Sequence, residues 1–148
     1  MKPQLAEVVI GTSIENVLGY HLRRASIRDL ADFARELGDE IKPVPFTVLC
    51  LIEETPGITA AEIGRQAQIQ RANLAPMLAG FETRGLIERR PDREDQRVQR
   101  LHLSPTGREA MAGWWARVLA QEDRTFGALT ARERETLKRL LAKIWKED

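Results

Sequence analysis

Three charged residues near the middle of the chain could bind a polyanion. Arg93 and Arg97 flank Asp95 in the polar run PDREDQR. An exposed arginine fits the narrow minor groove of duplex DNA, where negative potential is concentrated. Asp95 could hold Arg97 by a bidentate bond and so orient its guanidinium before contact. The alternative is a solvated turn whose charges only pair with one another.

A second set of polar side chains begins a predicted helix that could read base edges. Gln70, Arg71 and Asn73 lie on its outer side, and the neighbouring outer residues, Ala72 among them, are small. In the major groove each base pair shows a distinct pattern of donors and acceptors, with which such side chains can pair. The alternative is an ordinary surface helix, although such helices usually carry more Glu and Lys. The inner face has an i, i+3, i+4, i+7 apolar series, Leu74, Met77, Leu78 and Phe81.

Capping signals indicate the elements around this helix. Thr59-Ala-Ala-Glu62 is a capping box, in which each side chain accepts a hydrogen bond from the backbone N–H of the other residue. It predicts a helix over about 60–67, a turn at 68–69, and the polar-faced helix over 70–84. Thr59 itself is a further candidate DNA contact.

Two short strands are predicted after the helix pair. Residues 86–90 read LIERR and residues 98–103 read VQRLHL, and the second run alternates apolar Leu101 and Leu103 with polar Arg100 and His102. The run PDREDQR then forms the tip of a β-hairpin. Helix, turn, helix and hairpin together predict a winged helix-turn-helix over residues 59–103.

Helical patterns also lie on both sides of this unit. Residues 14–37 have a helical apolar stripe, and a nearly all-apolar helix follows Pro45 and stops at Pro56–Gly57. Ser104-Pro105 begins a helix to about residue 125, and a capping box at Thr130 begins the last one. The sequence therefore predicts one domain over residues 1–148, mainly α-helical, with six helices and a small β-hairpin wing.

Composition favours a globular protein and places the positive charge in the middle. Of 148 residues 43% are hydrophobic and 30% are charged, and the net charge is +1. Residues 1–61 hold six Lys and Arg against nine Asp and Glu, while residues 62–108 hold nine arginines against six acids. No run is long enough for a membrane span and no signal peptide is recognisable, so we expect a cytoplasmic protein.

Residues suited to enzyme chemistry are few. His21 and His102 are the only histidines, and neither belongs to a cluster with metal-ligand spacing. The sequence has no phosphate-cradling glycine loop and no nucleophile motif. Cys50, the one cysteine, lies in an apolar segment and is interpreted as an inert core thiol. We therefore expect no enzyme activity, no metal and no cofactor.

The run from Ile58 to Met111 resembles the DNA-binding core of the MarR family of transcription regulators. The wing, with Asp95 two residues before Arg97, is its most specific piece. The resemblance implies a homodimer that binds a palindromic operator in double-stranded DNA, with residues 1–37 and 104–148 as dimerisation helices. The alternative is a winged helix used for protein contact or RNA binding. A protein-contact domain would have no need of two exposed arginines at the wing tip. Other matching residues are Leu74, Leu78, Glu82, Arg84-Gly85-Leu86-Ile87, Arg90, Asp92, Leu103-Ser104 and Gly107.

The resemblance also implies a small ligand. The first helix reads Tyr20-His-Leu-Arg-Arg-Ala25, similar to MarR-type regulators of aromatic-acid breakdown, some of which sense an aryl-CoA thioester. Arg23 and Arg24 could bind a carboxylate or phosphates, while Tyr20, His21, Phe46 and the Trp114–Trp115 pair could line an aromatic pocket. Alternatively the arginines pair with acids on the helix surface, and the tryptophans pack in a dimer interface.

Pro76 departs from the family pattern, in which this position has a residue with a backbone donor. Proline inside a helix lacks the N–H and costs about 3 kcal/mol. We therefore expect the helix over 70–84 either to start irregularly or to be kinked. Either change would alter the direction in which its first polar side chains point.

Overall fold

Six α-helices and one small antiparallel sheet form residues 12–146, the part of the chain that the computed structural model describes. The mainly helical winged-helix class is confirmed. In chain order the elements are α1 (Leu18–Leu37), α2 (Pro43–Glu54), β1 (Ile58–Thr59), α3 (Ala60–Ala67), α4 (Arg71–Thr83), β2 (Ile87–Pro91), β3 (Gln99–Leu103), α5 (Pro105–Thr125) and α6 (Ala131–Trp145).

The prediction of a continuous first helix from residue 14 was wrong at its N-terminal end. Ile14–Asn16 form a short 3-10 turn whose first residues are capped by the Ser13 side chain, and α1 begins only at Leu18. Val17 separates the two with extended backbone angles (φ −99°, ψ 110°), which a β-branched residue adopts readily. The predicted dimerisation segment 1–37 also includes residues 1–11, which lie outside the described residues.

The sheet has a third strand that the sequence did not predict. Strand β1 pairs with β3, with Ile58 opposite Leu101 and Thr59 opposite Arg100, so the strand order is β1-β3-β2. The hairpin strands themselves are confirmed within one residue. Two residues are too few to show the alternation by which a strand is recognised in a sequence, so β1 left no signal.

The core lies where α2, the helix pair, the sheet and the first half of α5 meet. Five of these elements each contribute a side chain that is at most 1% exposed, namely Ile52, Ile63, Leu78, Leu101 and Met111. Full burial of one such side chain contributes about 1.5–3 kcal/mol. This core therefore fixes the orientation of α4 and of the hairpin relative to α5.

Helix α1 is joined to α5 by a group of polar contacts, in addition to the burial of Phe33 and Leu37 in the core. The Gln121 amide, 1% exposed, donates to Asp29 at 3.1 Å and to the Thr125 hydroxyl at 2.6 Å. That hydroxyl donates to Asp32 at 2.7 Å, and Arg28 donates to the same carboxylate at 2.9 Å. Because Thr125 and Arg28 both donate to the ionised form, the pKa of Asp32 lies below its ordinary value.

The apolar stripes of α6 and of α1 as far as Leu30 do not enter this core. Leu22 and Leu30 on α1 are 49% and 48% exposed, and Leu140 and Ile144 on α6 are 45% and 72% exposed. Both helices are amphipathic as predicted. Within residues 12–146 the apolar stripe of α6 and that of α1 as far as Leu30 face outward, whereas Phe33 and Leu37 at the end of α1 are buried in the core. No helix in residues 12–146 is both long and apolar enough to cross a membrane.

Candidate nucleic-acid interface

Capping residues determine where helices α3 and α4 begin and where α3 ends. Thr59 and Glu62 form the predicted capping box, with the Thr59 N–H 3.2 Å from the Glu62 carboxylate and the Glu62 N–H 3.3 Å from the Thr59 hydroxyl. Gln68 then takes a left-handed conformation (φ 53°) that ends α3 and turns the chain, and Gln70 is the N-cap of α4. Thr59 is therefore placed at the start of α3, where the structure uses its hydroxyl for the cap.

The outer side of α4 carries the predicted polar residues. Leu74, Leu78 and Phe81 are buried on the inner side, as their spacing predicted. The four candidate contacts at the start of the helix lie together and are exposed, and no carboxylate of the described chain pairs with the arginine among them. They are Gln70, Arg71, Ala72 and Asn73.

Pro76 neither breaks α4 nor disturbs its start. The helix is continuous from Arg71 to Thr83, and the Leu74 N–H donates to the Gln70 carbonyl at 3.0 Å, as in a regular first turn. The expectation of an irregular start was therefore wrong, while the alternative of a kink at Pro76 stays a prediction. The proline lies past that turn on the exposed side, where its ring meets solvent and not the core.

The wing is braced at its base by Asp92. Its carboxylate accepts the backbone N–H groups of Glu94 and Asp95 at 3.2 and 3.1 Å and the Arg100 guanidinium at 2.6 Å. Arg100 also donates to the Gly57 carbonyl at 3.0 Å, which links the hairpin to the segment before β1. The hydrogen bond from Arg100, followed by those of the two N–H groups, holds the pKa of Asp92 below its ordinary value.

The wing tip presents the predicted arginines to solvent. Arg97 donates to both carboxylate oxygens of Asp95, at 3.1 and 3.4 Å, while its side chain stays 92% exposed. Asp95 also accepts the Arg97 N–H at 3.1 Å, so the loop and the guanidinium are oriented together. Arg93 is exposed and has no ion pair within the described chain. The bidentate pair predicted from the Asp-x-Arg spacing is thus formed.

The Asp92–Arg100 brace was missed in the sequence as a functional feature. Its partners lie eight residues apart on opposite sides of the hairpin loop, and only the register, with Arg90 opposite Arg100, brings them together. A signal did exist, because an Asp at the start of a turn commonly accepts N–H groups two or three residues later. That rule gives the turn but does not identify the arginine.

The C-terminal end of α4 is tied to the outer helices. Gly85 adopts a left-handed conformation (φ 69°) after the helix, and its carbonyl accepts the Ser104 hydroxyl at the start of α5. Arg84 donates to the Glu40 carbonyl at 3.0 Å and lies over the Trp114 ring, 5.5 Å from its centroid. Helix α4, the second or recognition helix of the helix-turn-helix, is therefore fixed to α5 and to the connection between α1 and α2.

Four of the five candidate ligand residues lie together on α1. Arg24 donates to the Tyr20 hydroxyl at 3.2 Å and stacks over its ring, and the His21 ring meets the Tyr20 ring edge-on at 5.3 Å. Arg23 is exposed on the same turns of the helix. His21 itself is half-exposed, with its ring nitrogen 2.7 Å from the Glu15 carbonyl oxygen.

The fifth candidate, Phe46, is not brought to this cluster. It is 7% exposed in the core, against Phe33 and Trp115. Phe33 lies thirteen residues after Tyr20 on α1, which is about 20 Å along the helix axis. Trp114 packs under Arg84, and the Trp115 indole donates to Glu53 at 2.9 Å, so both indoles are used for packing within the chain.

The single thiol is poorly suited to redox chemistry. Cys50 is half-buried on α2, and burial, together with the charges of Glu54 and Glu53, raises its pKa to about 12. The reactive thiolate is therefore scarce at neutral pH. Within residues 12–146 no group of three or more His, Cys, Asp or Glu side chains is arranged to hold a metal ion.

A helix-turn-helix, a three-stranded sheet and an arginine-tipped wing define the class of winged-helix DNA-binding proteins. Residues 41–98 match the model of the MarR family. Over 146 residues the chain is 31% identical to a protein of Thauera aromatica named as a transcriptional regulatory protein for the hcr operon, covering 97% of this chain and 87% of that one. The chain belongs to the MarR family of transcriptional regulators, which are DNA-binding proteins and not enzymes.

Solved structures agree with this assignment. The transcriptional repressor CouR, bound to a 23-mer DNA duplex, is 34% identical with a TM-score of 0.84, over 89% of this chain and 94% of that one. The MarR family protein Rv2887 of Mycobacterium tuberculosis, in complex with salicylic acid, is 26% identical with a TM-score of 0.68, over 86% and 95% of the two chains.

Proposed function

We propose that this regulator is a homodimeric repressor of genes for the breakdown or efflux of aromatic compounds. In this proposal it binds a palindromic operator, and an aromatic acid or its CoA thioester releases it. Each half-site receives one α4 in the major groove and one wing in the minor groove. The DNA contacts are Thr59, Gln70, Arg71, Ala72, Asn73, Arg93, Asp95 and Arg97.

The wing tip is the observation that supports the operator-binding role most strongly. An arginine that is 92% exposed normally samples many rotamers, and ordering it on a phosphate or base would cost side-chain entropy. Here Asp95 already orders the guanidinium and leaves its outer edge open. The Asp92 brace fixes the loop that carries both residues, so the contact is pre-organised.

The exposed apolar sides of α1 and α6 support the homodimer. Leu18 is 84% exposed and Ile144 is 72% exposed, in a chain whose core is otherwise well formed. A second copy would bring identical faces together about a two-fold axis, and that axis would match the symmetry of a palindrome. We place the interface on the described parts of residues 1–37 and 104–148.

The ligand class is supported by the cluster on α1 and by a relative. Tyr20, His21 and Arg24 place an aromatic ring, an imidazole and a cation side by side on an exposed helix. The protein Rv2887, 26% identical, has been solved with salicylic acid. An aromatic carboxylate could stack on the ring and pair with Arg24 or Arg23, whereas Phe46 would act only as packing beneath the site.

The operator-binding role is tested by Arg97→Ala in a fluorescence anisotropy titration of a duplex selected from a random pool. The loss of one contact in each half-site should weaken binding about a hundredfold, at about tenfold per contact. Arg35→Ala removes another well-exposed arginine, whose side chain is 83% exposed, from α1 and should leave the affinity unchanged. Equal affinities of the Arg97 variant and the wild type would show that Arg97 of the wing does not contribute to DNA binding.

The ligand class is tested by adding salicylate, other aromatic acids and their CoA thioesters to the preformed complex with the selected duplex. Release by at least one of them, but not by sodium chloride of equal ionic strength, is expected. Arg24→Gln should raise the concentration needed for release without changing the affinity for DNA. If none of these compounds releases the duplex, the ligand class is wrong while the operator-binding role stands.

A further inference from the structure

Four cations form a stripe along one side of α6. Arg132, Arg139, Lys143 and Lys146 are spaced seven, four and three residues apart, which places them on one face of a helix. All four are exposed, and none forms an ion pair with a residue of the described chain. We call these four residues the α6 basic stripe.

The other cations of α6 form ion pairs. Arg134 pairs with Asp123 at 2.9 Å, and Lys138 pairs with Glu135 at 2.5 Å. The apolar residues, such as Leu140 and Ile144, occupy a third side of the helix. The stripe is therefore a separate face, distinct from the apolar side that we assign to the dimer and from the side whose charges are neutralised locally.

The stripe ends beside the helix-turn-helix. The last turn of α6, with Trp145 and Lys146, faces the last turn of α3, with Arg65, across a cleft that also includes Gln68 of the helix-turn-helix turn. Arg65 is exposed and has no ion pair within the described chain. Lys146 lies over the Trp145 ring, 5.4 Å from its centroid.

We propose that the α6 basic stripe extends the DNA-binding surface and contacts backbone phosphates next to the helix-turn-helix. The inference rests on the proposed operator-binding role, because duplex DNA seated on α4 is the polyanion nearest to Arg65 and Lys146. The stripe spans fourteen residues, or about 20 Å, a length over which a duplex presents several phosphates. Such contacts add affinity for any sequence and carry no specificity.

The double variant Lys143→Ala/Lys146→Ala tests this surface by anisotropy titrations at several salt concentrations. Each phosphate contact contributes about 0.9 to the slope of log affinity against log salt, so a dimer that loses two to four contacts should lose about 2 to 4 units of slope. The loss of affinity should be equal on the selected duplex and on a scrambled duplex of the same length. Lys138→Ala, which removes a paired lysine from the same helix, should change neither quantity.

Lys143 and Lys146 lie at the C-terminal end of α6, where positive charge also stabilises the helix dipole. Circular dichroism and sedimentation therefore accompany the titrations. If the double variant loses helix or dimer, Arg139→Gln in the middle of α6 replaces it, with an expected loss of up to about 2 units of slope.

An unchanged slope and affinity in a folded variant would overturn the stripe alone. A wild-type protein that binds no duplex would overturn the operator-binding role as well, so the two failures are distinguishable.

Discussion

At the scale of single residues, the wing depends on two aspartates with different tasks. Asp95 orients the guanidinium of Arg97, whereas Asp92 holds the loop through two backbone N–H groups and Arg100. The tip of the loop has no buried apolar side chain, so charged hydrogen bonds hold its conformation in place of apolar packing.

The Asp92→Asn variant tests the brace. Its neutral amide accepts hydrogen bonds more weakly, so amide exchange at Glu94 and Asp95 should become several-fold faster at pH 7 and DNA binding should weaken. Glu88→Gln on β2, which pairs with Arg90 at 3.2 Å outside the loop, is the matched control and should leave the exchange rates of the loop unchanged. Equal exchange rates in the Asp92 variant and the wild type would contradict the brace.

The pH dependence of the wing follows from the same carboxylate. The folded pKa of Asp92 is lowered below its ordinary value of 3.8, chiefly by the hydrogen bond from Arg100. Its stabilising contribution is therefore fully present above pH 3.8 and is lost as the pH falls through the lower folded value. Amide exchange in the loop, corrected for intrinsic rates, should speed up only below pH 3.8 in the wild type. Loss of protection already at pH 5 would contradict this assignment.

Cys50 gives a prediction about redox insensitivity. With a pKa of about 12 the thiol is protonated at neutral pH, so iodoacetamide should modify it far more slowly in the native protein than in urea. Cys50→Ser should retain DNA binding, and peroxide should not release the wild type from DNA. Rapid native-state alkylation together with peroxide-induced release would instead identify Cys50 as a sensor.

At the scale of elements, the glycines of α5 show how closely the wing is seated on this helix. A Cβ at Gly107 would lie 2.0 Å from the Leu86 carbonyl oxygen, whereas a Cβ at Gly113 would meet no atom within 4 Å. Gly107→Ala should therefore destabilise the protein by several kcal/mol, and Gly113→Ala should stabilise it by up to about 1 kcal/mol. Urea denaturation measures both, and changes of the same sign would contradict this packing.

Pro76 leaves one backbone hydrogen bond of α4 unmade, because proline has no N–H. Replacing it with alanine restores a backbone donor inside α4, so Pro76→Ala should raise the free energy of unfolding by about 1–2 kcal/mol after the smaller entropy of the unfolded proline chain is allowed for. Ala75→Gly, its exposed neighbour, should lower it by about 1 kcal/mol. A Pro76 variant less stable than the wild type in urea would show that the helix is adapted to the proline.

Most of the helices and the hairpin could be predicted from the sequence, because capping boxes and apolar periodicity are local signals. The caps at Thr59, Ser104 and Thr130 are all formed as their spacing predicted. Features that depend on register or on distant partners could not be predicted. The two-residue strand β1, the Asp92–Arg100 brace and the burial of Phe46 away from Tyr20 are of this kind.

In the whole molecule, the apolar stripes of α6 and of α1 as far as Leu30 are not covered by any other part of residues 12–146. A helical stripe shows that one side of a helix is buried, but not whether its own chain or a second copy buries it. Sequence periodicity therefore predicted both helices, apart from the N-terminal end of α1, but it could not show that these stripes face outward.

The double variant Leu140→Asp/Ile144→Asp tests the dimer. Charges in the centre of the interface should convert the dimer to a folded monomer in sedimentation, and operator affinity should fall by at least a hundredfold because one half-site is lost. Ala131→Asp, nine residues before Leu140 and therefore on the opposite side of α6, is the matched control and should remain dimeric. A dimer that survives both aspartates would place the interface elsewhere.

The salt dependence of binding to the selected duplex tests directly whether this winged helix binds DNA. A dimer that neutralises several phosphates with two wings and two recognition helices must release counterions. We therefore predict tight binding at low salt that weakens linearly on a log–log plot, with a slope of about −4 or steeper. Absence of binding at low salt, or binding that does not change with salt, would contradict a DNA-binding function of this surface.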